Sequence, residues 1–284
     1  MDARIRWMLA SAAAGAGALA AYAFLVEPRW LEVTHPRIHI RGLPSALEGL
    51  RVGLLTDLHA GAGTPLGVIR RAGHATMREH PDLIALTGDF AADDAPGFRR
   101  VLRLLSCLRA PLGVYAVPGN HDYTVGIEKW HQQLRASPHI RDLTNAAVVK
   151  RVRGARVCIA GVDDFTRGEP TLAELPPPEE RDLTILLAHD PDQAERARRA
   201  GDRVDLVLSG HTHGGQVRLP GFGALLSPAR NGALYDEGLR RRPWTRVYTS
   251  RGVGTVHLPV RFLCRPEVAI LELTSSPRPP RGRE

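Results

Sequence analysis

The sequence predicts an α/β fold in four layers, α/β/β/α, with two sheets face to face, helices outside, and one transmembrane helix at the N-terminus. Three observations carry this reading. Short apolar runs alternate with segments of helical periodicity through the first half, the pattern of successive strand–loop–helix units in a parallel sheet. These runs end in polar residues, as buried strands do when they deliver side chains to a site at their carboxyl ends. Ahead of them, Trp7 to Val26 passes twenty residues without a charge.

That uncharged stretch, at about 1.5 Å per residue, is just long enough to cross roughly 30 Å of hydrocarbon. Arg4 and Arg6 precede it. It exceeds the apolar core of a secretory signal, about 7–15 residues, so residues 1–30 are expected to be an uncleaved anchor in the bacterial inner (cell) membrane. Trp7 and Trp30 bracket it as interfacial rings do. Arg29, Arg37 and Arg41 follow on the other side, so positive-charge counting leaves open which side the rest of the chain occupies. Residues 31–49 read as a connector, with Arg37 to Ile40 as an edge strand.

The main domain is expected over residues 50–274. Arg51 to Thr56 is an apolar run ending at Asp57, the signature of a buried strand. Leu66, Ile69, Gly73 and Met77 have helical spacing, and Pro81 closes that segment. Leu83 to Thr87 is the next strand; Phe98, Val101, Leu102, Leu105 and Leu108 share one helical face; Gly113 to Val117 is the third strand. Further strands are predicted at Arg156 to Gly161, Leu183 to Ala188, Val204 to Ser209, Arg246 to Ser250 and Glu267 to Leu273. Asp190-Pro191 opens a short helix that Gly201 ends. Leu175 to Pro178 reads as a surface loop, and residues 275–284, rich in Pro and Arg, as a disordered tail.

The formal net charge is +8, and Lys129 and Lys150 are the only lysines beside a large excess of arginine. A GC-rich coding sequence produces this bias, and an anionic partner such as a phosphate or a lipid surface would exploit it. Basic residues are not interleaved with aromatics, so no nucleic-acid partner is expected. Cys107, Cys158 and Cys264 form no CxxC pair, which argues against a disulfide framework and a zinc ribbon. Oligomeric state is left open.

The polar residues that end the apolar runs are Asp57-Leu58-His59, Gly88-Asp89, Gly119-Asn120-His121-Asp122, His189, and Gly210-His211-Thr212-His213. Asp or Asn at one such position is an ordinary turn former. Five strand ends that all offer oxygen or imidazole ligands point to one site for divalent cations. Mixed N and O donors suit Mn²⁺, Fe²⁺ or Zn²⁺ rather than Ca²⁺. His35, His39, His74, His80, His131, His139 and His257 have no such context and are expected on the surface or in loops.

These five blocks, in this order, resemble the calcineurin-like metallophosphoesterase family. The resemblance implies that family's sandwich fold and hydrolysis of a phosphoester on two divalent metal ions, Mn²⁺ first. It places one metal on Asp57, His59, Asp89 and His213 and the other on Asp89, Asn120, His189 and His211. His121 would then stabilise charge or protonate the leaving oxygen, and Asp122 would orient it. From Ser209 to Pro220, and through Ser250 to Gly254 and Arg261-Phe262, the chain looks like the branch with YaeI- and YkuE-type phosphodiesterases and LpxG-type hydrolases. That branch implies a membrane-tethered enzyme cleaving the pyrophosphate of a nucleotide-linked lipid, UDP-2,3-diacylglucosamine, in lipid A biosynthesis. Arg251 and Arg261 are the candidate substrate-binding arginines. The alternative is a general phosphodiesterase or phosphatase for soluble nucleotides or cell-envelope phosphoesters.

Overall fold

The structure is a computed structural model that describes residues 2–61, 63–92, 95–225 and 227–275. Helix α1 (Ala3–Ala21) continues through wider and tighter turns to Arg29. The resulting 27-residue stretch, Ala3–Arg29, is long and apolar enough to cross a membrane. No residue of α1 itself is buried against the chain, but the end of the stretch is firmly docked. The Ala23 carbonyl accepts the Arg261 N–H at 3.0 Å, and the buried Glu27 carboxylate accepts the N–H groups of Leu263 and Cys264.

In chain order the first sheet begins with β1 (Glu32–Thr34), β2 (Arg37–Ile40) and β3 (Arg51–Leu55), followed by α2 (Leu66–Arg78), β4 (Leu83–Thr87), α3 (Ala95–Leu104) and β5 (Val114–Val117). Helices α4 (Asn120–Val125) and α5 (Ile127–Arg135) then lead to the two-residue β6 (Arg141–Asp142). The second sheet holds β7 (Ala146–Val152), β8 (Ala155–Gly161), β9 (Leu183–Leu187) and, after α6 (Gln193–Ala200), β10 (Leu206–Ser209). A small hairpin of β11 (Arg218–Leu219) and β12 (Gly223–Ala224) and the short α7 (Gly232–Tyr235) precede β13 (Gly238–Arg241) and β14 (Arg246–Thr249), which complete that sheet. Strand β15 (Glu267–Ser275) returns to the first sheet, whose order is β1-β15-β3-β4-β5-β6 with β2 also on β15; the second runs β13-β14-β10-β9-β8-β7. Strands β3 to β6 are parallel, as are β8, β9, β10 and β14, so their carboxyl ends face the same way within each sheet.

Because successive side chains point to opposite faces, Leu83 and Ala85 enter the core between the sheets, where they join Val157, Ile159, Ile185 and Leu187. Ile84 and Leu86 point the other way, under Ile69, Ala72, Val101, Trp130 and Leu134 of the outer helices. Leu186 and Val207 pack beneath Ala194 and Ala197 of α6. Both faces of the central strands are covered, which is why they read as unbroken apolar runs.

Within the expected connector, residues 31–49, β2 stands where the strand Arg37 to Ile40 was expected, while β1 was not expected; both pair with β15, so the sheet begins at Glu32 rather than near Leu50. The α3 helix starts and stops earlier than its periodicity suggested, yet Leu105 and Leu108 remain buried just beyond its end. Strands β6, β7 and β13 and helices α4 and α5 were not anticipated. As an edge strand, β7 pairs only with β8 and is half exposed, so AAVVKRV shows no clean alternation. Ser275 belongs to β15, and residues 276–284 of the expected tail lie outside the described residues.

Candidate active site

The loops at the carboxyl ends of β3, β4, β5, β9 and β10 converge, and their backbone is unusual. Asp57, His59, Asp89, His211 and His213 have φ of 51°, 42°, 55°, 70° and 52°. A non-glycine residue held in this left-handed region costs of order 1–3 kcal/mol and persists only where its surroundings over-determine it. Backbone bonds do that here: Asp57 N–H donates to Gly88 O at 3.1 Å, and Leu58 and His59 N–H both donate to Asp89 O at 2.8 and 3.0 Å. The loops approach so closely that a Cβ on Gly119 would stand 2.7 Å from the Asp89 nitrogen.

All seven expected ligands come together. His59 Nε2 and His213 Nε2 lie 3.1 Å apart, and His213 Nε2 is 3.3 Å from Asp57 Oδ1. On the other side His189 Nε2 lies 3.1 Å from both Asn120 Oδ1 and His211 Nδ1. Asp89 sits between the two groups, its Oδ2 3.4 Å from His59 Nε2 and 3.2 Å from His189 Nε2. Three groupings among the described residues, Asp57/His59/His213, His59/Asp89/His121 and Asp57/Asp89/His189, could each hold a metal ion. His189 Nδ1 is 2.8 Å from the Thr87 carbonyl, an acceptor only, so Nδ1 carries the proton and Nε2 faces the cluster.

Burial sets the electrostatics. It drives His59 down to about 3 and His211 down to about 4, and His213 well below the ordinary histidine value, the last with His59 as a further cause. These imidazoles are neutral, the form that ligates metals. Burial also pushes Asp57 up to about 6. It opposes charge on Asp89 and His189 as well, but their mutual attraction wins, holding Asp89 below and His189 above the usual range. Carboxylates, an amide oxygen and neutral imidazoles fit two divalent transition cations as a donor set.

The predicted accessory residues divide. His121 is half buried: its N–H donates to Asp89 Oδ1 at 2.9 Å, its Nδ1 lies 3.2 Å from the Ala92 carbonyl, and its ring meets that of His59 edge-on at 4.8 Å. Asp122 folds back instead of reaching His121. Its oxygens accept the N–H groups of Asp89 (2.9 Å), Phe90 (3.0 Å) and Gly119 (2.9 Å), because as the third residue of α4 it caps that helix. Burial, then the Asp89 charge, pushes Asp122 up to about 8 against those amides. It staples two loops, and the carbonyl of Ala92 is what orients His121.

Arg251 and Arg261 do not enter the pocket. Arg261 is fully buried, and its guanidinium donates to the carbonyls of Arg251, Gly252, Gly254 and Cys264. It thereby shapes the 251–254 loop, whose Val253 and Gly254 N–H groups bond the carbonyls of Thr56 and Asp57. Arg251 is engaged by Glu32 at 2.8 Å and by Glu267 at 3.6 Å. Glu32 and Glu267 claim Arg251 and backbone carbonyls claim Arg261, a feature that late-loop position alone did not reveal. Conversely, His257, expected to be an ordinary loop residue, lies on the rim of the pocket with its ring 6.5 Å from that of His121. Its left-handed φ of 58° matches the other site residues, but its sequence neighbourhood carries no motif.

The cluster opens into a cavity of about 580 Å³ whose lining includes Asp89, Asn120, His121, His211 and His213 together with Val217, Leu225, Val256, Leu258 and Val260. Two sheets with a two-cation His/Asp cluster at their strand ends define a metallophosphoesterase-type hydrolase. Residues 50–215 match the calcineurin-like phosphoesterase family, and the chain belongs to it. It is 32% identical over 275 residues to the uncharacterized metallophosphoesterase YkuE of Bacillus subtilis, covering 94% of each chain. It is 34% identical over 256 residues to the phosphodiesterase YaeI of Escherichia coli, covering 89% of this chain and 92% of that one. A transmembrane protein with metallophosphoesterase domain from Bos taurus is 31% identical over 263 residues, covering 86% of this chain and 57% of its own length.

Proposed function

We propose that the chain is a membrane-tethered hydrolase that cleaves the pyrophosphate of a nucleotide-linked lipid, UDP-2,3-diacylglucosamine, to UMP and a lipid monophosphate. The observation that carries the reading is a pocket whose lining joins the polar cluster to Val217, Leu225, Val256, Leu258 and Val260, in a chain whose N-terminal helix is long and apolar enough to cross a membrane. Asp57, His59, Asp89 and His213 would hold one cation and Asp89, Asn120, His189 and His211 the other, with Mn²⁺ the first choice and Fe²⁺ or Zn²⁺ as alternatives. Such cations, when bound, would supply Lewis acidity toward the attacking water and the phosphoryl oxygens. His121, turned by the Ala92 carbonyl, donates a proton to the oxygen that leaves phosphorus as the bond to water's oxygen forms. Asp122 keeps the amides of Asp89 and Gly119 in place. Residues 1–30 anchor the chain in the membrane, and residues 31–274 form the catalytic unit.

The second reading, a general phosphodiesterase for soluble nucleotides or envelope phosphoesters, is favoured by the likeness to the phosphodiesterase of Escherichia coli. Incubating the purified protein and Mn²⁺ with UDP-2,3-diacylglucosamine and, separately, with bis(p-nitrophenyl) phosphate separates them. The lipid reading expects UMP release. Hydrolysis of the simple diester without any UMP would overturn it in favour of the second.

A further inference from the structure

We infer that the β11–β12 hairpin and the segment 256–263 form a second, interfacial membrane contact that lays the mouth of the active site on the lipid surface. The inference rests on the proposed anchoring of the N-terminal helix and adds to it where the substrate must come from: an amphiphile whose apolar part stays in the bilayer while its phosphate enters the site.

Large exposed apolar side chains are unevenly placed. Beyond residue 30, among the described residues, they are Leu219, Phe222, Leu225, Leu258 and Leu263, with only Leu66 and Val149 elsewhere. Phe222 is 87% exposed at the tip of the hairpin, between Gly221 and Gly223, whose φ of +80° makes the tight turn possible. Scattered exposed leucines need no explanation, but five concentrated on one hairpin and the segment bonded to it, two of which (Leu225 and Leu258) line the active-site cavity, mark an interaction surface.

What covers it follows from connectivity to the apolar helix. The last turns of that helix grip residues 261–264 through Ala23 and Glu27, and the Tyr22 ring meets Phe262 edge-on at 6.5 Å. Phe262 in turn bonds the base of the hairpin, accepting Arg218 N–H and donating to Gln216 O, each at 2.9 Å. The Gln216 side chain clamps Val256 through both its N–H (2.7 Å) and its carbonyl (3.0 Å). Helix exit, 256–264 segment and hairpin are therefore one bonded platform. Where the helix leaves the bilayer, Trp30 is half exposed with the Arg265 guanidinium 4.7 Å over its ring, an aromatic and a cation at headgroup level. Residues joined so directly to that exit lie within reach of the interface, where an apolar tip sinks about 5–10 Å into the headgroup boundary.

The test is a depth measurement on the full-length chain in nanodiscs of phosphatidylethanolamine and phosphatidylglycerol. An environment-sensitive nitrobenzoxadiazole label is placed at Phe222→Cys, or at Leu219→Cys should that variant fold poorly, in a Cys107→Ser background. Quenching by lipids carrying a nitroxide on the acyl chain is compared with labels at Leu19→Cys in α1 and at Arg153→Cys, in the turn at the opposite end of the second sheet. The expected result is blue-shifted emission and lipid quenching at 222 and at 19, with neither at 153. Quenching at 19 but not at 222 would overturn the docking surface while leaving the anchor and the chemistry standing. Absence at both would remove the anchor and this inference together. A label at 222 shielded from aqueous iodide yet untouched by the lipid nitroxide would assign the surface to a second copy or another protein, which also overturns it. None of these readings depends on turnover, so they stand apart from the UMP assay.

Discussion

Replacing Asp122 by alanine removes the one acceptor shared by the backbone of the two loops that present Asp89 and Asn120. Three buried N–H groups, those of Asp89, Phe90 and Gly119, lose their partner. A buried donor left unsatisfied costs about 1–3 kcal/mol. The three share one site and any entering water, so the combined loss is set at about 3–5 kcal/mol, a large part of the roughly 5–15 kcal/mol that holds a domain folded. Asp122→Asn keeps the shape and one oxygen. Since Oδ2 serves both Asp89 and Gly119, the amide can satisfy two donors and turns its own N–H₂ toward Phe90, for a loss of about 1–3 kcal/mol. Urea unfolding followed by circular dichroism, with Mn²⁺ titration calorimetry alongside, should rank wild type above Asp122→Asn above Asp122→Ala in both stability and cation affinity. A wild-type midpoint and Mn²⁺ affinity in Asp122→Ala, with only the pH–rate profile altered, would refute this reasoning and return Asp122 to the role of orienting His121.

Gly119→Ala drives a methyl against Asp89; overpacking costs typically about 1–3 kcal/mol, and the variant should fold yet lose Mn²⁺ affinity in the same titration. His121→Ala should slow hydrolysis by about 10²–10⁴-fold for diesters with poor leaving groups and far less for p-nitrophenolate, which needs no proton; equal losses across a leaving-group series would contradict the proton-donor role. Hydrogen bonds from Arg156 hold Asp182 down to about 2. A carboxyl depressed on folding adds stability above its unfolded value of about 4, lost as pH falls toward the folded one. The Tm gap between wild type and Asp182→Asn should therefore close between those two pH values, and a gap constant with pH would show that the pair contributes nothing through ionisation.

Much of the architecture was legible because the central strands are buried on both faces, so Arg51 to Leu55, Leu83 to Thr87 and Leu183 to Leu187 stand out as apolar runs. Edge elements were not. In β7 Lys150 and Arg151 interrupt the pattern, and α5 shows only Trp130 and Leu134 to the core, too few to fix a helical period. The short β1 looked like a linker because its partner, β15, lies more than two hundred residues away. At the site, the seven residues that cluster could be picked out since each lies in a segment that follows the carboxyl end of a buried strand. Their neighbours could not: whether an arginine faces substrate or a fan of carbonyls, as Arg261 does, depends on loops meeting from distant parts of the chain. His257 reaches the pocket only because Gln216 holds Val256 beside it.

The direct measurement of the central claim is the metal content of the full-length protein after dialysis against Mn²⁺, taken by elemental analysis and located by anomalous scattering. Two cations flanking Asp89 are predicted, about 3.5–4 Å apart as in two-metal phosphoryl-transfer sites, and Asp89→Asn should lose at least one. A fully loaded preparation with no anomalous density between His59 and His189, or one whose occupancy is unchanged in Asp89→Asn, would contradict it.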